Sequence, residues 1–107
     1  MTKRRFYPPT ESDIPMHGWV PYSEMHRERI RAHVKHDGNG GSMERLPFDH
    51  PQWTNVVLEE LGEVAKVIND EYLGVLTGEY RKMLREELIQ LGAMTAAWID
   101  AIDLTTE

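Results

Sequence analysis

Cysteine is missing altogether from the 107 residues. That excludes a disulfide framework, a thiolate nucleophile and Cys-ligated zinc. No apolar run is long enough to cross a bilayer: the most apolar stretch, Leu88 to Ile102, is too short and contains Gln90 and Asp100. A signal peptide is not expected either, because Pro8, Pro9, Glu11 and Asp13 follow Lys3, Arg4 and Arg5 where an apolar core would be needed. The expected location is cytoplasmic, with no membrane partner. Positive charge is in deficit, with 12 Lys+Arg against 18 Asp+Glu and a net charge of −6, so no nucleic-acid partner is expected. No alternating segment is long enough for a strand. The Gly-rich loop Asp37-Gly-Asn-Gly-Gly-Ser42 lacks the Gly-Lys-Ser/Thr ending of a phosphate-binding loop.

What remains is a single small all-α domain. Four of the six prolines (Pro8, Pro9, Pro15 and Pro21) fall in residues 1–22, and their density predicts an extended arm there, with the helical domain over 23–107. Phe6, Tyr7, Trp19 and Tyr22 give that arm apolar surface for packing. Ser23 is the expected N-cap of a first helix over roughly 24–36, ended by Gly38. Asp49, with Pro51 in the first turn, is expected to open a second helix. Its apolar stripe would be Trp53, Val57, Leu61, Val64, Ile68 and Tyr72. A third helix is expected from after Thr77-Gly78 to about Ile102, with the stripe Leu84, Leu88, Leu91, Thr95, Trp98 and Ile102. Beyond Leu88 this helix is apolar nearly all round, the pattern of a helix between neighbours. Trp53 and Trp98 stand on core stripes and are read as packing residues. Two long apolar helices in so short a chain predict a small helical bundle completed by homodimerisation.

The acidic excess is uneven. Met1 to Asn55 carries a net charge of +1, and Val56 to Glu107 a net charge of −7. Within the acidic half, Leu58-Glu-Glu-Leu-Gly-Glu-Val64 and Arg85-Glu-Glu-Leu-Ile-Gln-Leu91 share the pattern Glu-Glu-Leu-x-(Glu/Gln)-aliphatic. At about 100° per residue, Glu60 and Glu63 fall to the same side of Leu61, among Val56 and Val67. Glu59, Lys66 and Asp70 fall on the far face. The same arithmetic puts Glu87 and Gln90 beside Leu88, with Glu86 outward. If the two helices pack antiparallel, the two sets face each other, and clustered carboxylates call for a cation. All-oxygen ligation suits Mg²⁺ or Mn²⁺, and such a site assists attack of water on a phosphate ester or anhydride. The plainer reading makes these glutamates ordinary helix formers paired with Lys66, Arg81 or Arg85.

Glu59-Glu60-Leu-Gly-Glu63 followed by Glu87-Leu-Ile-Gln90 resembles the paired motif of MazG-like proteins, in the all-α nucleotide pyrophosphohydrolase superfamily. The family pattern is Glu-Glu-x-x-Glu on one helix and Glu-x-x-Asp on the next. The likeness covers about residues 50–103, more loosely back to Arg31, and not the arm. It implies Mg²⁺-dependent hydrolysis of a nucleoside triphosphate to monophosphate and pyrophosphate. Glu60, Glu63 and Glu87 would be catalytic metal ligands, and Gln90 would stand where the family has Asp. Gln keeps an amide oxygen but removes one charge, so a catalytically weak nucleotide-binding protein is the alternative. A helical protein-interaction module without a metal site is a third reading. Lys35 and His36, together with Arg81 and Arg85, are weaker candidates for binding substrate phosphates.

Overall fold

The computed structural model describes residues 19–38 and 41–104, and the expected arm lies outside these residues up to position 18. The chain forms a small all-α bundle of three helices: α1 (Val20–Asp37), α2 (Gln52–Tyr72) and α3 (Tyr80–Leu104). A short 3₁₀ turn, Met43–Arg45, lies between α1 and α2. Among the described residues no helix is long and apolar enough to cross a membrane.

Local chemistry sets the helix ends. α1 begins at Val20, ahead of the expected cap Ser23, because Pro21 fits a first turn whose N–H groups have no helical acceptor. Ser23 is already inside, its N–H donating to the Trp19 carbonyl at 2.8 Å. At the start of α2 the cap comes from His50 rather than Asp49: the Gln52 N–H donates to His50 Nδ1 at 3.0 Å. At its end, Gly74 takes a φ of 74°. Its N–H reaches the Glu71 carbonyl at 3.1 Å and the Val75 N–H reaches that of Asp70 at 3.0 Å, a Schellman closure. Glu79 caps α3, accepting from the Lys82 N–H at 2.6 Å.

α2 and α3 run antiparallel, pinned by Trp53 and Trp98. The two indoles lie 6° from parallel with centroids 6.0 Å apart. Trp53 Nε1 donates to the Pro47 carbonyl at 3.0 Å, and Trp98 Nε1 to that of Phe48 at 2.8 Å. The pair therefore packs, as expected, and also anchors the loop entering α2. α3 is the middle element, packed against α2 and α1. Met25 of α1 crosses it at Gly92, its methyl 2.6 Å from where a Cβ would stand. Arg29 ties three elements together: it forks onto Glu44 at 2.8 and 3.0 Å and donates to Asp100 at 2.6 Å.

The expected apolar stripes are only partly the core. The buried apolar residues are Trp53, Val64, Val67, Ala93, Met94 and Ala97. Leu61, Ile68, Tyr72, Leu88, Thr95 and Ile102 are exposed instead. The reason is that α1 covers one flank of the α2–α3 pair, so the buried seam is rotated towards α1. The opposite flank keeps its large apolar side chains uncovered.

The positive φ of Gly74 sets a testable cost. Gly74→Ala forces a Cβ into the left-handed region and is expected to lower unfolding free energy by about 1 kcal/mol in urea titration. Gly38, at φ −85° with open space around it, is the control: Gly38→Ala is expected to be neutral or stabilising by about 0.5 kcal/mol.

Candidate functional site

The rotation of the seam changes what surrounds the acidic motif. Glu60 follows Trp53 by two turns and precedes Val64 by one, so it stands in line with the buried residues of α2. Glu87 and Gln90 hold the same relation to Met94 and Ala97 on α3. These groups continue the helix-packing seam as polar members of it. Glu60 and Glu87 are half-buried, and each has an Oε2 with no hydrogen-bond partner and no access to solvent. Glu24 Oε2 also lacks a hydrogen bond but lies 2.5 Å from the Arg85 guanidinium, so its charge is met.

An uncompensated carboxylate in this position resists ionisation. Burial pushes the Glu60 carboxyl above its ordinary value, and the charges of Glu87, Glu59, Glu28 and Glu63 push it further. Burial likewise raises Glu87, with Glu63, Glu86 and Glu28 adding to the effect. The antiparallel pairing thus brings Glu60, Glu63 and Glu87 within electrostatic reach of one another. Glu63 itself is exposed. Among the described residues, no three His, Asp or Glu side chains converge closely enough to hold a metal ion.

Beside this seam is an open groove of about 710 Å³. α1 and α2 have little direct contact, and α3 spans the gap between them, so Gln90 and Met94 form the floor. Glu59 and Glu60 lie on one wall, Glu28, Lys35 and His36 on the other, and Ser42 and His50 close one end. Ser42 is itself buried, its hydroxyl 2.6 Å from His33 Nδ1 and accepting from the Glu44 N–H. Of the expected ligands, Glu60 and Gln90 line the groove, whereas Glu63 and Glu87 do not. Of the expected phosphate contacts, Lys35 and His36 line it, Arg85 lines a second cleft between α1 and α3, and Arg81 lines neither.

Among the residues not expected at the groove, Glu59 and Glu28 bring carboxylates whose charges act on Glu60. Glu59 is exposed but faces the groove, because the groove lies between α1 and α2 and the sector of α2 turned towards it is displaced by one position. Glu28 brings a further carboxylate from α1, held by Arg31 at 3.0 and 2.5 Å. Its only trace in the sequence is a Glu-x-x-Arg spacing, which any surface helix produces.

In donor chemistry the seam offers oxygen ligands of the kind a hard divalent cation takes, although no three carboxylates among the described residues converge on one point. The seam has two buried carboxylate oxygens without partners on facing helices, a third carboxylate near them, and an amide oxygen at Gln90. The same frustration predicts a pH response in chelator-treated protein. The folded chain holds the protons of Glu60 and Glu87 more tightly than the unfolded chain, whose carboxyls titrate near 4.5. Stability from these groups is therefore present at low pH and lost as pH rises through their raised values. Glu60→Gln and Glu87→Gln are each expected to raise the urea midpoint at neutral pH. That gain should vanish when the comparison is repeated below the ordinary carboxyl range.

No family model, curated protein or solved structure matches the chain.

Proposed function

We propose that the chain is a cytoplasmic, Mg²⁺- or Mn²⁺-dependent nucleoside triphosphate pyrophosphohydrolase, converting a triphosphate and water to a monophosphate and pyrophosphate. The observation that carries the reading is the pair of partnerless carboxylate oxygens, on Glu60 and Glu87, beside a groove of nucleotide size. Its second support is the resemblance of the paired motif to MazG-like proteins. Glu60, Glu63 and Glu87, with the Gln90 amide oxygen, would hold the cation. When bound, the ion neutralises phosphate charge and lowers the pKa of a coordinated water.

The remaining roles belong to the chain's own side chains. One of the carboxylates would serve as the general base that accepts a proton from water, and Glu60 stands on the groove wall. Lys35 and His36 face it across the groove and bring positive charge or hydrogen-bond donors to phosphate oxygens. Val56 and Met94 make part of the lining apolar, which strengthens the electrostatics of the groove.

A homodimer belongs to the same reading. Leu61 and Ile68 on α2, and Leu88, Ile99 and Ile102 on α3, are 43 to 53% exposed on the flank opposite α1. A second copy laid on that flank would bury this continuous apolar face and turn the α2–α3 pair into the core of a four-helix layer. Light scattering is expected to give twice the chain mass, and Leu61→Glu with Ile99→Glu is expected to give the monomer. A monomeric wild type would contradict this part.

A panel of nucleoside triphosphates with Mg²⁺ or Mn²⁺ tests the activity. Pyrophosphate release is expected to fall about a hundredfold or more in Glu60→Gln and Glu87→Gln. It should also fall in Glu63→Gln, and rise in Gln90→Asp, which restores a fourth charge. Metal-dependent nucleotide binding without release would favour the alternative that Gln90 suggests, a nucleotide-binding protein with weak catalysis. Absence of nucleotide binding would leave the helical interaction module.

A further inference from the structure

The second cleft, about 440 Å³ between α1 and α3, has a charge composition unlike the rest of the chain. It is lined by Arg27 and Arg31 from α1 and by Lys82 and Arg85 from α3, with the carboxylates of Glu24, Glu28 and Glu86 among them, a small positive excess. Four of the 12 Lys and Arg residues of a chain with net charge −6 thus meet at one cleft. Like charges gathered this way repel each other, and two of them are relieved internally. Arg31 is held by Glu28, and Arg85 by Glu24 at 2.5 Å. Arg27 and Lys82 have no carboxylate partner among the described residues.

The arrangement of these cations points to the class of anion. They come from two helices, so a single small anion can meet only some of them, whereas a chain of phosphates can meet several at once. Three of the four are guanidiniums, whose planar forks match phosphate oxygens in pairs. We propose that the α1–α3 cleft is an oligophosphate site, in which Arg27 and Lys82 are the free cations and Arg31 and Arg85 exchange their internal carboxylates for phosphate oxygens. Glu28, Arg31 and Gln90 line both this cleft and the large groove. An oligophosphate can therefore occupy the cleft as a free chain or as the tail of a nucleotide whose other end lies in the groove. The site requires neither a metal at the carboxylate seam nor catalysis there.

Isothermal titration of the full chain with tripolyphosphate, in excess chelator, tests the proposal apart from the hydrolase reading. Saturable binding is expected, weakened about fivefold or more by Arg27→Gln and by Lys82→Gln. Lys66→Gln makes the same charge change on the solvent face of α2, where Lys66 pairs with Asp70 at 2.8 Å. It is expected to alter affinity by less than about twofold. The replaced side chains are exposed, so melting curves should stay unchanged. Titration with a nucleoside triphosphate separates the two sources: affinity equal to or tighter than tripolyphosphate, with the same losses in the variants, assigns the nucleotide tail. Weaker nucleotide binding assigns the free chain. No saturable binding of tripolyphosphate, or an equal loss in Lys66→Gln, would overturn the site, whatever the outcome for pyrophosphate release.

Discussion

The stack of Trp53 on Trp98 is the contact on which the rest of the fold depends. Trp53 is fully buried, and both indole N–H groups donate to carbonyls of the Pro47-Phe48 segment. One aromatic pair therefore fixes the antiparallel register of α2 and α3 and anchors the loop that closes the groove. Two turns along α2 and three turns back along α3, that register brings Glu60 within electrostatic reach of Glu87. Aromatic stacking adds to area burial, and here it holds in place a pair of carboxylates that would otherwise push the helices apart.

The middle position of α3 follows from its small side chains. Ala93 and Ala97 are buried, and Gly92 lets Met25 of α1 come close. A helix with such faces accepts neighbours on two sides. Because α1 and α2 both pack on α3 rather than on each other, a groove opens between them with Gln90 and Met94 beneath it. Arg29, bridging Glu44 and Asp100, holds the far edge of that groove to α3. The same middle helix divides the charged chemistry into a carboxylate seam towards α2 and a cation-lined cleft towards α1.

Burying Glu60 and Glu87 without partners works against folding, because desolvation favours the neutral acid. Sites that bind charged ligands commonly give up stability in this way. The uncovered apolar flank of α2 and α3 is a second departure from a self-sufficient single chain. Neither feature contributes to the stability of this chain alone.

The all-α class, the three helices and the packing role of both tryptophans were determined by the sequence itself. Helical periodicity is a local property, and large aromatics bury wherever a core forms. The recurrence of Glu-Glu-Leu-x-(Glu/Gln) was legible for the same reason, since spacing of three places side chains together on any helix. Which flank of the α2–α3 pair is buried was decided only by the tertiary structure. Both flanks are apolar in sequence, and the choice depends on where α1 docks. That choice moved Leu61, Ile68 and Leu88 out of the core, placed Glu60, Glu87 and Gln90 in the packed seam, and turned Glu59 towards a groove. Arg27, Glu28 and Arg31 of α1 became neighbours of Lys82 and Arg85 of α3 for the same reason: the two groups lie far apart along the chain, and only the crossing of α1 over α3 brings them together.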